Sequence, residues 1–307
     1  CGLILISGSF PVIISGLGQS FFNWDGPFQT LFGLITWYQR PIDNIFGLTG
    51  LFNNPNYAGS WLNSIWPFCL ACLIDLKNKT QNKISTFFFT FGISLTTVLT
   101  NSRAAWIGIL MGSFLMYGKK SLKYLKYLFL IFIFILISTK FVLFGNNFQN
   151  FLKLIIPESI WLEFSDFQYT RLEIWRSAIL YVISSPLFGY GAGSFPEIFK
   201  LETGLWKGHA HNLPLELMVS YGVPAGLLII IPIVLLLILG IKKLFKKNLL
   251  KKELIFDKAW IVSLFVLISS QMVDVQYFDG RISILVWILL SGTKNIITDN
   301  SIKYQQN

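Results

Sequence analysis

Long apolar runs constrain this chain more than any other feature. Eight of them, at about 1–18, 58–76, 84–100, 104–118, 124–144, 214–240, 258–275 and 281–293, alternate with polar links. A helix needs about 20 apolar residues to cross a bilayer's hydrocarbon core, where backbone polar groups must pair within the segment. The pattern predicts an all-α fold, a polytopic transmembrane helix bundle of about eight spans in one membrane domain, 1–307, with a large loop, 145–213, inserted between spans. Charge agrees: 13% of the residues are charged, against about 25% in a soluble domain. Beginning at Cys1 inside an apolar run, the chain is expected to be the C-terminal part of a longer protein.

Lysine sets the expected orientation. It clusters at Lys77, Lys79 and Lys83, at Lys119, Lys120, Lys123 and Lys126, from Lys242 to Lys258, and at Lys294 and Lys303. These are alternating links, which the positive-inside rule makes cytoplasmic together with the C-terminus. The net charge of +10 then reads as an orientation signal that also attracts anionic membrane lipids. No soluble basic domain exists to bind nucleic acid. Cys69 and Cys72 are spaced C-x-x-C inside an apolar run, where packing is expected of them rather than redox or metal chemistry.

The segments left outside are 19–57, 101–103, 145–213 and the link around 279–281, and all five arginines fall in them: Arg40, Arg103, Arg171, Arg176 and Arg281. Positive-inside placement does not explain that choice. A guanidinium offers a rigid fork of donors suited to phosphate and carboxylate, so an anionic ligand is expected on this side. For Arg40 and Arg176 the alternative is anchoring at lipid headgroups. Arg103 stands between two apolar runs with almost no loop, and a cation so placed must meet water, a headgroup or a counter-ion.

Within 145–213, residues 169–183 place Leu172, Trp175, Ile179 and Ile183 at helical spacing, with Arg171 at the edge of that face. An amphipathic helix is expected there, lying on the membrane surface or folded over the spans, ended by Ser185-Pro186, with Gly189–Gly193 as a flexible turn. Those glycines follow no strand, so a nucleotide loop is excluded. Both histidines lie in His209-Ala210-His211-Asn212, just before Pro214 opens the next span. A neutral imidazole at that boundary accepts a proton. The alternatives are a solvated loop residue, or a metal site with Glu216, for which the ligands are few and the spacing unspecific. Asn53-Asn54-Pro55-Asn56 reads as a turn and helix start.

Taken in order, five stretches resemble the O-antigen ligase and polymerase family of polytopic glycosyltransferases. They are Gly50–Ala58, Ser102–Trp106, Arg171–Trp175, Pro186–Phe195 and His209–Asn212, within about residues 46–230. The resemblance implies an inner-membrane enzyme, acting at the outer face, that passes a glycan from a polyprenyl-diphosphate carrier to a sugar hydroxyl on a glycan or glycolipid. It also implies catalytic roles for Arg103, Arg171 and His211. Arg40, Arg176, Arg281, Asn56, His209 and Asn212, which lie in the same outer segments, are the substrate-binding candidates. No cofactor and no metal are expected. Gly222 is followed by Ala225 where the ligase branch has a second glycine, which leaves ligase against polymerase open. The competing class is a transporter for a small anion such as bicarbonate. It ranks lower because Asp75, Lys140, Glu216 and Asp274 fall towards span ends, whereas transporters bind near the midplane.

Overall fold

The computed structural model describes residues 2–37, 39, 42, 47–75, 80–118, 126–127, 130, 150–151, 154, 171–245 and 254–298. The described chain is mostly helical: α1 (Gly2–Gly8), α2 (Phe10–Phe22), α3 (Pro55–Ile74), α4 (Thr80–Leu99), α5 (Arg103–Tyr117), α6 (Arg171–Ser184), α7 (Phe195–Thr203), α8 (Leu213–Phe245), α9 (Ile255–Ser270) and α10 (Gly280–Thr298). One antiparallel hairpin, β1 (Phe28–Thr30) with β2 (Ile35–Trp37), pairs Phe28 with Trp37 and Thr30 with Ile35.

Four segments are long and apolar enough to cross a membrane: Gly2–Phe22, Pro55–Ile74, Leu213–Leu244 and Gly280–Thr298. Ile84–Leu99 and Arg103–Tyr117 are shorter apolar helices. The expected span at 258–275 is the 16-residue α9, which stops at Ser270. Most of the expected span 124–144, and residues 155–170 of the expected loop, lie outside the described residues.

The chain divides into two compact units. The first holds Leu3–Leu70 with Thr80–Gln168, and the second Ala71–Lys79 with Tyr169–Asn307. In the first, α4 packs on α2 and α5. Buried Gln19 secures the approach to α3, its Oε1 accepting the N–H groups of Thr49 (2.9 Å) and Gly50 (3.1 Å). Asn54 and Pro55 start α3 as their residue types predict: Asn54 Oδ1 accepts the Asn56 N–H at 2.8 Å, and Pro55 fills the first helical position, where its missing N–H costs nothing.

In the second unit α8 packs against α6, α9 and α10. It is broken at Gly222, whose φ of 81° and ψ of 167° are not helical. A break strands backbone groups that must be paired elsewhere. Here the segment after α6 takes them: Tyr190 N–H donates to Val219 O (2.8 Å), Gly191 N–H to Ser220 O (2.9 Å), and Val223 N–H to Pro186 O (2.7 Å). The expected flexible turn at Gly189–Gly193 is therefore a bonded strap. Its approach demands glycine, since a Cβ on Gly222 would lie 2.2 Å from Leu187 O and one on Gly189 2.5 Å from Val219 O. Gly222→Ala should cost about 3 kcal/mol or more, from backbone strain and the displaced strap together. A melting temperature unchanged from wild type in detergent would contradict this.

The face that α6 turns towards the protein is not its apolar stripe. Ile174, Ala178 and Tyr181 are buried against Phe195, Phe199 and Val219, while Leu172 (70%) and Ile183 (67%) are exposed. An apolar stripe marks the side that avoids water. In a chain that meets lipid, that side need not face protein. Small Ala178 admits close packing, and Tyr181 is held by its hydroxyl, which donates to Glu202 Oε2 at 2.6 Å.

Candidate functional site

Half-buried Arg171 and Trp175, one turn apart, edge the inward face of α6. Trp175 Nε1 donates to the carbonyl of His211 at 3.3 Å, which ties α6 to the turn that precedes α8. That turn is fixed from several sides. Asn212 caps α8, its Oδ1 accepting the Leu215 N–H (3.1 Å), while its Nδ2 donates to Met272 O (3.0 Å). Leu213 N–H donates to Gln271 O at 2.9 Å, and fully buried Glu216 accepts the Ala210 N–H through Oε2 at 2.8 Å. Held in this way, His211 takes a left-handed φ of 51°, uncommon for a residue with a Cβ and a mark of local constraint.

The result is a cluster of His209, His211 and Asp274. His211 Nδ1 lies 2.9 Å from Asp274 Oδ1, and His209 Nε2 lies 3.4 Å from the same oxygen. Asp274 is buried, and its second oxygen, Oδ2, has no hydrogen-bond partner among the described residues. Burial pushes its pKa up. The hydrogen bond from His211, with the fields of His209, His211 and Arg171, outweighs this and holds the carboxyl below its usual range. An ionised carboxylate only accepts, so His211 carries its proton on Nδ1 and leaves Nε2 as the basic nitrogen. The His211 side chain is 25% exposed.

His209 plays a different part. Its Nδ1 accepts the His211 N–H at 3.2 Å, and its ring lies against those of His211 and Phe278. Burial lowers its pKa to about 4 against the pull of Asp274, and His211 and Arg171 push the same way. His209 is thus a neutral packing and positioning group. Between pH 6.5 and about 4 an unfolded chain binds a proton that the folded chain refuses. Stability is therefore full above pH 6.5 and falls as pH drops towards 4. Melting temperatures in detergent should decline from pH 7 to pH 5, and His209→Gln should flatten that slope. An equal slope in both proteins would refute the assignment.

The structure thus brings Arg171, His209, His211 and Asn212 to one place. Both ends of the Asn212 amide are engaged in backbone bonds. Arg103 opens α5 in the other unit, and Asn56 lies in the first turn of α3. Arg176 is exposed on α6, and Arg281 forks onto Asp279, with Nη2–Oδ2 at 2.6 Å and Nε–Oδ1 at 3.0 Å. Arg40 lies outside the described residues.

Sequence reasoning missed Asp274 as a site residue, because the run 258–275 made it look like the end of a span. α9 stops at Ser270, and turns through Asp274 bend the chain back under the histidines. The signal available was a carboxylate between Gln271 and Gln276 at the end of an apolar run. His209, His211 and Asp274 also have ligand atoms within 4.8 Å of one another, a set able to hold a metal ion. The weaker set anticipated from sequence had Glu216 in the place of Asp274.

Comparison with known proteins bears on this site directly. A sequence family described as O-antigen ligase matches residues 87–230, which include Arg103, Arg171 and both histidines. The chain is also similar to a protein of Acinetobacter baylyi (strain ATCC 33305 / BD413 / ADP1) named ComP-specific O-oligosaccharyltransferase, with 29% identity over 185 residues. That match covers 55% of this chain and 31% of the relative, so the chain spans less than a third of the relative's length.

Proposed function

We propose that this chain, whose residues 87–230 match the O-antigen ligase family, transfers a glycan from a polyprenyl-diphosphate carrier to a hydroxyl of an acceptor glycan or glycolipid. The observation that carries the reading is the Asp274–His211 pair, held within the field of Arg171. Asp274 fixes the tautomer of His211, and Nε2 takes the proton from the acceptor hydroxyl as its oxygen attacks the anomeric carbon. The bond from that carbon to the carrier's phosphate oxygen breaks, and its electron pair leaves with the diphosphate. Arg171 offers a fork of donors for the charge that develops there. One displacement inverts the anomeric centre.

An apolar cavity of about 440 Å³ supports the lipid half of this reading. It runs along α8 past Leu213, Leu217, Tyr221, Ala225 and Ile229, with residues of α9 and α10, among them Trp287, as its facing wall. Its lining begins at Leu213, two residues from His211, so a prenyl chain lying in it would carry its diphosphate towards the histidine turn. Arg103 keeps its proposed part in diphosphate binding on sequence grounds. The lysine-rich links support a multi-pass protein of the inner (plasma) membrane with the site on the exoplasmic side and the C-terminus in the cytoplasm.

The reading is tested with the protein in proteoliposomes, given a polyprenyl-diphosphate-linked glycan and a glycan or glycolipid acceptor. Glycan transfer should release one equivalent of carrier diphosphate for each glycan moved. Carrier left intact in the presence of acceptor, together with unchanged surface glycans in a deletion strain, would overturn it. In that strain a changed ladder pattern marks polymerase action, and loss of the decorated acceptor marks ligase action.

A further inference from the structure

The hairpin β1–β2 in the first unit has a surface unsuited to water. From Gly26 to Trp37 no residue carries an ionisable side chain. Leu31, Phe32 and Leu34 at its tip are 60%, 108% and 86% exposed. Leu31 and Phe32 also take left-handed φ values of 51° and 55°, positions that hairpin turns usually give to glycine or asparagine. Two bulky apolar residues are thus held in an unfavourable backbone conformation and turned away from the protein.

The base of the hairpin is clamped beside the last turns of α2. Asn23 reverses the chain, Trp24 N–H donates to Gly18 O at 3.3 Å, and the Trp24 ring covers Gly18, where an added Cβ would lie 2.2 Å from it. After β2, Gln39 Nε2 donates to Ser15 O (3.0 Å) and to Gly50 O (2.9 Å). Ser15 lies about 10 Å before the end of α2 at 1.5 Å per residue, within the apolar span Gly2–Phe22. Phe21 and Phe22, 63% and 74% exposed, carry the lipid-facing surface of that span up to the hairpin.

We propose that β1–β2 is an anchor in the bilayer interface, with Leu31, Phe32 and Leu34 among the headgroups and upper acyl chains of the leaflet where α2 ends. A two-stranded sheet leaves its outer N–H and C=O groups unpaired, which the hydrocarbon core does not tolerate. The interface supplies water for those groups and favours aromatic side chains such as Trp24. Continuity with the surface of the span, and the lack of charge that a protein–protein rim would carry, point to lipid as the occupant. The anchor is independent of the glycosyl-transfer reading.

The test is a nitroxide at position 32 or 34 (Phe32→Cys, Leu34→Cys), with Cys1, Cys69 and Cys72 replaced by alanine, in nanodiscs of phosphatidylethanolamine and phosphatidylglycerol. Collisions with oxygen should exceed those with a water-soluble nickel chelate at both positions. Nickel-dominated relaxation would place the tip in water, and shielding from both reagents would mark a protein cover; either overturns the anchor. Because Cys69 and Cys72 are buried, a second arm keeps them and puts a benzophenone amino acid at position 32. Illumination should yield lipid adducts, and a lack of lipid adducts would count against the proposal.

Discussion

Replacing Asp274 by asparagine is expected to lower glycan transfer by about 10²- to 10⁴-fold, close to the loss in His211→Ala. Volume and burial hardly change in this substitution, but the chemistry at Nδ1 of His211 does. The carboxylate accepts the Nδ1 proton at 2.9 Å. An asparagine amide can present a donor there instead, which drives the ring proton to Nε2 and removes the basic lone pair. The same change leaves His209 without its facing anion at 3.4 Å. The informative measurement is the transfer rate against pH for wild type, both single variants and the double variant, normalised to protein in the membrane. If Asp274 acts through His211, the double variant loses no more than His211→Ala alone. Additive losses would give the aspartate a separate role, and wild-type transfer in Asp274→Asn would remove it from the mechanism.

Arg171→Lys should cost about 10²- to 10³-fold, the range for loss of one preorganised donor facing a developing anion. Two functions of Arg171 are separable in this variant. Its field reaches His209 and Asp274, and a lysine at the same position keeps a positive charge. The planar fork that grips two phosphate oxygens at once is lost. Retained activity would show that only the field matters, and diphosphate binding at this residue would then be abandoned. Loss of activity with intact stability, and with a raised KM for the lipid-linked donor, fits the fork.

Much of the fold was legible because its cause is local. Apolar run length placed the helices Pro55–Ile74, Leu213–Leu244 and Gly280–Thr298, and the Asn-Pro pair marked the start of α3. The inward face of α6 was not legible. Hydrophobic spacing reports which side avoids water, and Leu172 and Ile183 do so without touching the protein core. Nor was the break at Gly222, because nothing near that glycine in sequence shows that the strap Pro186–Gly191 would take up the freed backbone groups.

The candidate site divides in the same way. By itself the sequence determined a helical membrane chain with stretches that resemble the O-antigen ligase family, with Arg171 and His211 among its chemically capable residues. Only the tertiary structure decided that His211 has Asp274 as its partner, 63 residues away, that Asn212 is spent on capping, and that Arg281 is taken by Asp279. Composition and periodicity reveal which surfaces seek lipid or water. Which proton a histidine keeps depends on what stands within 3 Å of each ring nitrogen, and that is set only when distant segments pack.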